Sequence, residues 1–289
     1  RRHSSAASDV YKRQVINVST RWTILCLPML EKFMKLTLIG FGFVGKAVHN
    51  LLQEHYDVKV VDPQYNKNTI TDDSDGYIVC VPTPSSPNLH ACDMSIVWEV
   101  VKECPDDKPI LIKSTISLEG YEEIKNWNKR ITFSPEFLTA ANANEDFKNQ
   151  KDMLFGGYDT DFWYDIFILV KGFKPTYGTI EELIMAKYLR NSFLATKVAF
   201  FNEVYDFCKA TNISYESVAE LVGMDNRITR NHMKVPGPDG SRGFGGACFP
   251  KDTKALLHTF STYNKPFTIL KEVVDSNERT INEHSDNRT

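Results

Sequence analysis

The sequence lacks several features that would place it in a specialised class of protein. Its six cysteines form no C-x-x-C pair, and no histidine cluster accompanies them, so neither a disulfide framework nor a metal site is expected. The apolar run TILCLPML is far shorter than the ~20 residues of a transmembrane helix. The formal net charge of -3 favours neither nucleic acid nor an anionic membrane as a partner. We therefore expect a cytoplasmic globular protein with reduced thiols.

The first 33 residues carry no regular pattern. The segment RRHSSAASDVYKRQ is polar without a period, and no small-residue cleavage site follows the short apolar run. Met34 opens the apolar stretch MKLTLIG and reads as a natural start. We predict that residues 1–33 are a non-native or disordered extension.

Short apolar strands alternate with helical patterns over residues 34–178. Helices are predicted from Phe43, at 95–103, at 118–127 and at 159–170. The predicted strands are KLTLIG, DVKVVD, GYIVCV, PILIKST, RITFS, DMLFGG and FKPTYG. This alternation predicts an α/β fold, a Rossmann-type doubly wound parallel sheet with helices on both faces.

From residue 179 onward the pattern becomes helical, and we predict an all-α domain over 179–289. The stretch 179–210 contains no glycine or proline, its apolar residues recur near the 3.6-residue period, and Thr179 with Glu182 forms a capping-box signal. One long central helix, rich in aromatic residues, therefore predicts a homodimer interface. Shorter helices are predicted at 214–222, 253–262 and 266–282, with a Gly/Pro-rich loop at 224–252.

A dinucleotide-binding turn is predicted where the first strand ends. Six residues form the pattern G-x-G-x-x-G: Gly40, Phe41, Gly42, Phe43, Val44 and Gly45. In this context the glycines allow a tight turn, approach of a pyrophosphate and close helix–strand packing. Asp62 ends the second strand, where a carboxylate binds ribose hydroxyls and repels a 2′-phosphate. The alternative is a plain glycine turn beside an ordinary aspartate, but context and spacing favour NAD.

The second candidate site is the loop GFGGACFPKD at 243–252. Glycines ahead of Cys248 let the backbone approach a ligand, and Lys251 would favour the thiolate. The alternatives are that Cys248 is a small buried apolar residue and that Asp252 is the N-cap of a helix beginning at Thr253. These residues alone leave the alternatives open.

The motifs together resemble those of the UDP-glucose/GDP-mannose dehydrogenase family. GFGGACFPKD resembles the family's active-site motif and GFGFVG its dinucleotide turn. Further matches follow in the family's order: CVPTP at 80–84, KST at 113–115, SPEFL at 134–138, K-x-x-x-N-x-F at 187–193 and Arg227-Ile228.

The resemblance implies a four-electron oxidation of a nucleotide-sugar alcohol to the acid, with two NAD molecules used in turn. Cys248 would form a thiohemiacetal and then a thioester with the substrate. Lys187 and Asn191 would point at one substrate oxygen, and Glu136 would be the general base for thioester hydrolysis. Asp252 and Thr115 would hold a catalytic water.

The resemblance also assigns binding residues. Those that match cofactor contacts, besides the turn at 40–45, are Asp62, Val81, Thr83, Pro84, Ser114, Thr115 and Lys251. Those that match substrate contacts are Glu136, Phe137, Leu138, Lys187, Asn191, Arg227, Lys234, Phe244 and Gly245.

The sequence departs from the family pattern in three places. The loop between Arg227 and Gly243 is longer than in many members, and Lys151 stands where the family usually has arginine. No second α/β domain follows the helices, so we expect either a fragment or a compact variant. Two other functions stay open: a catalytically weak NAD-binding dimerisation module, and an enzyme like the β-hydroxyacid dehydrogenases. Lys187 and Asn191 could also be a solvated helix face, and Arg227 and Lys234 ordinary loop charges.

Overall fold

A computed structural model of the chain describes residues 34–86, 92–139 and 142–285. The predicted extension at 1–33 lies outside the described residues. The strands are β1 (Lys35–Ile39), β2 (Asp57–Val61), β3 (Gly76–Val79), β4 (Pro109–Ile112), β5 (Arg130–Phe133), β6 (Asp152–Gly157) and β7 (Lys174–Tyr177). The helices are α1 (Phe43–Leu52), α2 (Ser95–Glu103), α3 (Leu118–Ile124), α4 (Ala143–Asn149), α5 (Thr160–Val170), α6 (Ile180–Thr211), α7 (Tyr215–Val222), α8 (Phe249–Thr262) and α9 (Thr268–Ser285).

The strands form one seven-stranded sheet in the order β2-β1-β3-β4-β5-β6-β7. The chain leaves β1 toward β2 and then returns to the other side of β1 with β3, so the order reverses between β1 and β3. Ligands of doubly wound sheets bind at such a reversal, beyond the carboxyl ends of the strands. The Gly40 turn follows β1 and the CVPTP segment follows β3, so both lie at this point. The predicted Rossmann-type fold is confirmed.

The sheet differs from the prediction in one pairing. β5 and β6 are antiparallel, with Thr132 opposite Gly157 and Phe133 opposite Gly156, whereas the other neighbouring strands run parallel. An antiparallel neighbour requires no crossover of the sheet. Among the described residues of the connection, the secondary structure is the short helix α4, a helix absent from the predicted elements.

The long helix α6 begins where the sequence predicts. The Thr179 side chain accepts a hydrogen bond from the Glu182 N–H, and the Glu182 carboxylate accepts one from the Thr179 N–H, so the capping box is complete. The N-terminal turns of α6 bury Ile180, Leu183 and Ile184 in the same apolar cluster as the sheet residues Val79 and Ile112. This core continues across residue 178, so the predicted division of the chain into domains at 178/179 stays a prediction.

Helix α8 begins four residues earlier than predicted. Cys248 is its N-cap residue, and Pro250 lies in its first turn, where a proline costs no hydrogen bond. Asp252 is therefore inside the first helical turn, and the alternative that it caps a helix starting at Thr253 is wrong. The loop that ends at Cys248 contains three glycines with positive φ, Gly240, Gly243 and Gly246. In the part of the chain that the structure describes, no helix is both long and apolar enough to cross a membrane.

Candidate active site

The glycine turn after β1 has the geometry of a phosphate cradle. Gly40 has φ +92°, and a Cβ there would meet the Cys80 carbonyl oxygen at 2.6 Å. A Cβ on Gly45 would clash with the Gly40 carbonyl oxygen, so only glycine fits both positions. By contrast, a Cβ on Gly42 would meet nothing within 4 Å. No side chain caps the N terminus of α1. An open glycine beside an uncapped helix N terminus fits a pyrophosphate.

Asp62 brings a carboxylate to this turn. Its Oδ2 accepts a hydrogen bond from the Phe41 N–H at 2.6 Å, and its Oδ1 accepts one from the Gln64 N–H at 2.8 Å. The side chain is half-buried, and the hydrogen bonds fix it beside the crevice at the end of β2. This position suits a carboxylate that recognises the ribose hydroxyls of NAD.

The ends of β3 and β4 form the opposite wall of the crevice. The buried Ser114 hydroxyl donates to the Val81 carbonyl at 2.7 Å and so joins the two strand ends. Thr83 is buried, Pro84 is exposed and Thr115 is half-buried. The thiol of Cys92 donates to the Thr115 carbonyl at 3.5 Å. Four of these predicted cofactor residues, Val81, Thr83, Pro84 and Ser114, therefore lie around one strand-end junction with Thr115.

Glu136 and Lys187 form a buried ion pair between the sheet and α6. Lys187 Nζ lies 2.9 Å from Glu136 Oε1 and also donates to the Glu136 carbonyl. Glu136 Oε2 accepts a hydrogen bond from the Leu138 N–H at 2.6 Å. Both side chains of the pair are under a tenth exposed. Each polar atom named here has a partner, which an ion pair needs in order to be tolerated in an interior.

Asp252 and Asn191 form a second polar cluster. Asn191 follows Lys187 by four residues on α6, so the two side chains share a helical face. Its Nδ2 donates to Asp252 Oδ2 at 2.6 Å, and Lys251 Nζ lies 2.6 Å from Asp252 Oδ1. Burial acts to lower the pKa of Lys251, but Asp252, Cys92 and Cys248 together raise it, with Asp252 also accepting a hydrogen bond. The solvated-surface alternative for Lys187 and Asn191 is wrong, because both are buried.

Cys248 lies within electrostatic reach of both clusters. Burial raises the pKa of its thiol, Asp252 and Glu136 raise it further, and Lys187 and Lys251 oppose them. Lys251 thus favours the thiolate as predicted, but burial has the larger effect and the pKa of the thiol is raised. The thiol is nevertheless half-exposed, whereas the four other cysteines that the structure describes are buried. Cys248 is therefore the accessible cysteine among those that the structure describes.

The segment before Cys248 is held by two helices. Asn202 on α6 accepts from the Gly243 N–H, and Arg242 pairs with Asp206 at 2.8 Å. Asn277 on α9 accepts from the Phe244 N–H at 2.6 Å and donates to the Phe244 carbonyl at 3.0 Å. No local sequence pattern marks these anchoring residues, because they lie far apart along the chain.

The predicted substrate residues are placed in different surroundings. Phe137 lies under Lys187 and Arg190, whose guanidinium stacks 4.1 Å from the ring centroid. The side chains of Leu138 and Phe244 are buried in apolar clusters, whereas Gly245 is exposed with open space at its Cα. The stacked Arg190 was missed, although it follows Lys187 by three residues on the same helix.

Arg227 and Lys234 are exposed residues of the loop that follows α7. The Arg227 side chain is 89% exposed and pairs with Asp225. Lys234 lines a cavity of about 370 Å³ together with residues of α7, and none of the predicted catalytic residues lines that cavity. Their predicted substrate contacts stay predictions. Among the described residues, no group of three or more His, Cys, Asp or Glu side chains is arranged to hold a metal ion.

These features define a class: a Rossmann-type dinucleotide-binding protein whose long helix brings a lysine–glutamate pair toward a cysteine on a glycine-rich loop. Two sequence profiles of one family match the chain. The NAD binding domain of the UDP-glucose/GDP-mannose dehydrogenase family matches residues 64–166, and the central domain of that family matches residues 181–279. The chain belongs to this family, and NAD is its cofactor.

Relatives with known names agree with this assignment. The chain is 33% identical over 219 residues to UDP-glucose 6-dehydrogenase of Rickettsia typhi, covering 71% of this chain and 49% of that protein. It is 31% identical over 221 residues to UDP-glucose 6-dehydrogenase TuaD of Bacillus subtilis, covering 71% and 47%. The chain thus spans about half the length of these curated relatives.

Solved structures share the architecture. A UDP-glucose dehydrogenase from Pyrobaculum islandicum superposes with a TM-score of 0.70 at 25% identity, covering 85% of this chain and 68% of that one. A 3-hydroxyisobutyrate dehydrogenase from Mycobacterium tuberculosis superposes with a TM-score of 0.64 at 16% identity, covering 84% and 91%. The second likeness concerns the fold alone.

Proposed function

We propose that this chain oxidises the 6-hydroxymethyl group of a nucleotide sugar, UDP-glucose in the first instance, to the carboxylate through a covalent intermediate on Cys248. One observation supports this most strongly. An accessible thiol at the N-cap of α8 lies within electrostatic reach of a buried Glu136–Lys187 pair and of the Asp252 carboxylate. Structural cysteines are buried and inert, whereas this thiol is accessible and lies beside groups that can donate and accept protons.

The glycine turn, Asp62 and the strand ends from Val81 to Pro84 would hold the cofactor. When bound, NAD supplies the hydride acceptor for each of the two oxidation steps. Conversion of the alcohol to the acid removes two hydrides and consumes one water, and therefore two NADH form for each sugar. Asp62 would exclude the 2′-phosphate of NADP by charge repulsion.

The side chains of the site would then divide the chemistry between them. Lys187 and Asn191 project from one face of α6 and would donate to the substrate oxygen that gains negative charge. The Cys248 sulfur would add to the aldehyde carbon, because covalent capture prevents escape of the aldehyde. Glu136 would take a proton from the water that hydrolyses the thioester, and Thr115 and Asp252 would hold that water. Phe137, Arg227 and Lys234 would contact the substrate.

The test is NADH formation by the purified full chain with UDP-glucose, GDP-mannose and UDP-N-acetyl sugars. We expect two NADH per molecule of the preferred sugar. NAD binding without NADH formation with any sugar would contradict the proposal and support the catalytically weak binding module.

The variant Cys248→Ser separates the proposal from a β-hydroxyacid dehydrogenase-like reaction, which the shared fold also permits. That reaction needs no nucleophilic cysteine, so full activity of the serine variant would support it. We expect instead that Cys248→Ser loses formation of the acid by at least about a thousandfold, as is usual for removal of a nucleophile. Cys208→Ser, a buried cysteine on α6 outside the site, is the matched control.

We propose further that the protein is a homodimer through α6. Three phenylalanines stand at seven-residue intervals on this helix, and Phe193, Phe200 and Phe207 are 71%, 61% and 64% exposed. A seven-residue repeat places side chains on one face of a helix. An exposed aromatic stripe of this kind is typical of an interface between chains.

A further inference from the structure

The buried residue Lys113 has no part in the chemistry described so far. It follows β4 directly, in the KST motif, and is only 2% exposed. Its Nζ donates to the Ser134 carbonyl at 3.1 Å and to the Ser134 hydroxyl at 3.3 Å, and it lies 5.7 Å from the centroid of the Phe147 ring. A lysine side chain is almost never fully buried unless it is paired with another group. Here its hydrogen bonds go to a serine and not to a carboxylate.

Ser134 is the first residue of the segment that carries Glu136. Lys113 holds the start of this segment from the sheet, and Lys187 holds Glu136 itself from α6 through the Glu136 carboxylate and carbonyl. The Leu138 N–H fixes the remaining carboxylate oxygen. Lys187 and the Leu138 N–H thus hold the Glu136 carboxylate directly, and Lys113 holds the start of the same segment two residues earlier.

The charges in this volume do not balance. Burial lowers the pKa of Lys113 to about 8, Cys80 and Glu136 act to raise it, and Lys187 lowers it. Burial also raises the pKa of Cys80 to about 12, so that thiol stays protonated and neutral. Three cations, Lys113, Lys187 and Arg190, thus lie within electrostatic reach of the one Glu136 carboxylate. With a pKa of about 8, Lys113 loses its proton at mildly alkaline pH, and Phe147 from α4 brings no compensating charge.

We propose that Lys113 is a positioning residue that acts through Ser134 to hold the Glu136 carboxylate in place for hydrolysis of the thioester. This role rests on the proposed function. An ammonium group offers three donors and makes charge-assisted hydrogen bonds. Loss of the Lys113 proton weakens its hydrogen bonds to Ser134 and removes the positive charge that attracts Glu136. Hydrolysis of the thioester therefore slows, while the substrate and NAD still bind.

The stability of the fold should have the opposite pH dependence to the one proposed for turnover. The folded-state pKa of Lys113 is about 8, below the ordinary value of 10.5. The unfolded chain therefore binds more protons in the interval between them, and the contribution of Lys113 to stability rises as the pH increases through that interval. The positioning role predicts that turnover falls as the pH rises through the same pKa. Activity and stability should thus change in opposite directions.

The experiment compares the full chain with Lys113→Met and with Lys174→Met, an exposed lysine on β7 as matched control. We measure kcat and melting temperature across neutral and alkaline pH, and the mass of enzyme quenched during turnover.

We expect Lys113→Met to lower kcat about tenfold to a hundredfold, the scale expected when a catalytic group is misplaced. Its KM and melting temperature should change little, it should accumulate the covalent sugar adduct on Cys248, and it should lack the descending limb near the pKa of Lys113. Lys174→Met should behave as wild type.

Wild-type kcat and pH profile in Lys113→Met would overturn the inference, as would a loss of activity that only follows a lower melting temperature. A wild-type chain that forms no NADH contradicts the proposed function instead. In that case NMR titration of labelled lysines decides the local claim without turnover. The Lys113 pKa should fall in Glu136→Gln, because the attracting carboxylate is gone, and an unchanged Lys113 pKa would overturn the coupling.

Discussion

Opposing charges act on the single thiol of Cys248. Burial, Asp252 and Glu136 raise its pKa, while Lys187 and Lys251 lower it, and the net result is a pKa above that of an ordinary thiol. Only the thiolate reacts with an alkylating reagent. We therefore predict that iodoacetamide modifies Cys248 slowly at neutral pH, and that the rate rises about tenfold per pH unit until the pKa is passed. Mass spectrometry of the peptide that carries Cys248 measures this rate.

Two variants test the origin of that pKa. Asp252→Asn and Glu136→Gln each remove a negative charge that raises the Cys248 pKa, so both should speed alkylation at fixed pH by about threefold to tenfold. Asp275→Asn, on the exposed side of α9, should leave the rate unchanged. A fast, pH-independent reaction in the wild-type protein would contradict this account of the thiol.

In the glycine turn between β1 and α1, one glycine is expected to affect NAD binding and another the stability of the fold. Gly42 faces open space, so Gly42→Ala should change the free energy of unfolding by no more than about 0.5 kcal/mol. Its methyl group would occupy the place of the pyrophosphate and should weaken NAD binding at least about tenfold. Calorimetry and a thermal melt on the same sample measure the two effects.

Gly40, in the same turn, is the comparison position, where substitution should lower the stability of the fold. Its φ of +92° and a Cβ contact of 2.6 Å to the Cys80 carbonyl make Gly40→Ala strained. That variant should destabilise the fold by about 1–3 kcal/mol, the usual cost of a strained backbone position. Normal NAD affinity in Gly42→Ala would contradict the placement of the pyrophosphate at this turn.

Elements with local signals could be predicted from the sequence, and those set by tertiary packing could not. The capping box of α6 and the strand–glycine–helix pattern of β1 and α1 are encoded within a few residues. The direction of β6 is different, because the apolar run DMLFGG reads the same whichever way the chain enters the sheet. The early start of α8 was hidden because Phe249-Pro250 directly follows a glycine-rich loop, although proline is well tolerated in a first turn.

In the candidate site, too, residues within local motifs could be predicted, whereas their contacts could not. Glu136, Lys187, Asn191 and Cys248 were found through motifs, but their pairing depends on how α6 packs against the ends of the strands. Lys113 was passed over because nothing in KST reveals which way the lysine points. β4 is buried along its whole length, so the surroundings of the next side chain depend on neighbours distant in sequence, Ser134 and Phe147.

At the scale of the whole molecule, α6 has an apolar face that the described chain leaves uncovered. The stripe of Phe193, Phe200 and Phe207 is more than half exposed at every position, with Leu189 one turn before it.

A charge placed in the middle of a buried stripe is costly, whereas the same charge on a solvated surface costs almost nothing. We therefore predict that the wild-type chain is a dimer by mass photometry, and that Phe200→Glu makes it a monomer with an almost unchanged melting profile at high dilution. Lys209→Glu, an exposed position on the same helix but off the stripe, should leave the dimer intact. A wild-type monomer at micromolar concentration would mean that α6 presents this face to something other than a second copy. A dimer that survives Phe200→Glu would place the interface elsewhere on the molecule.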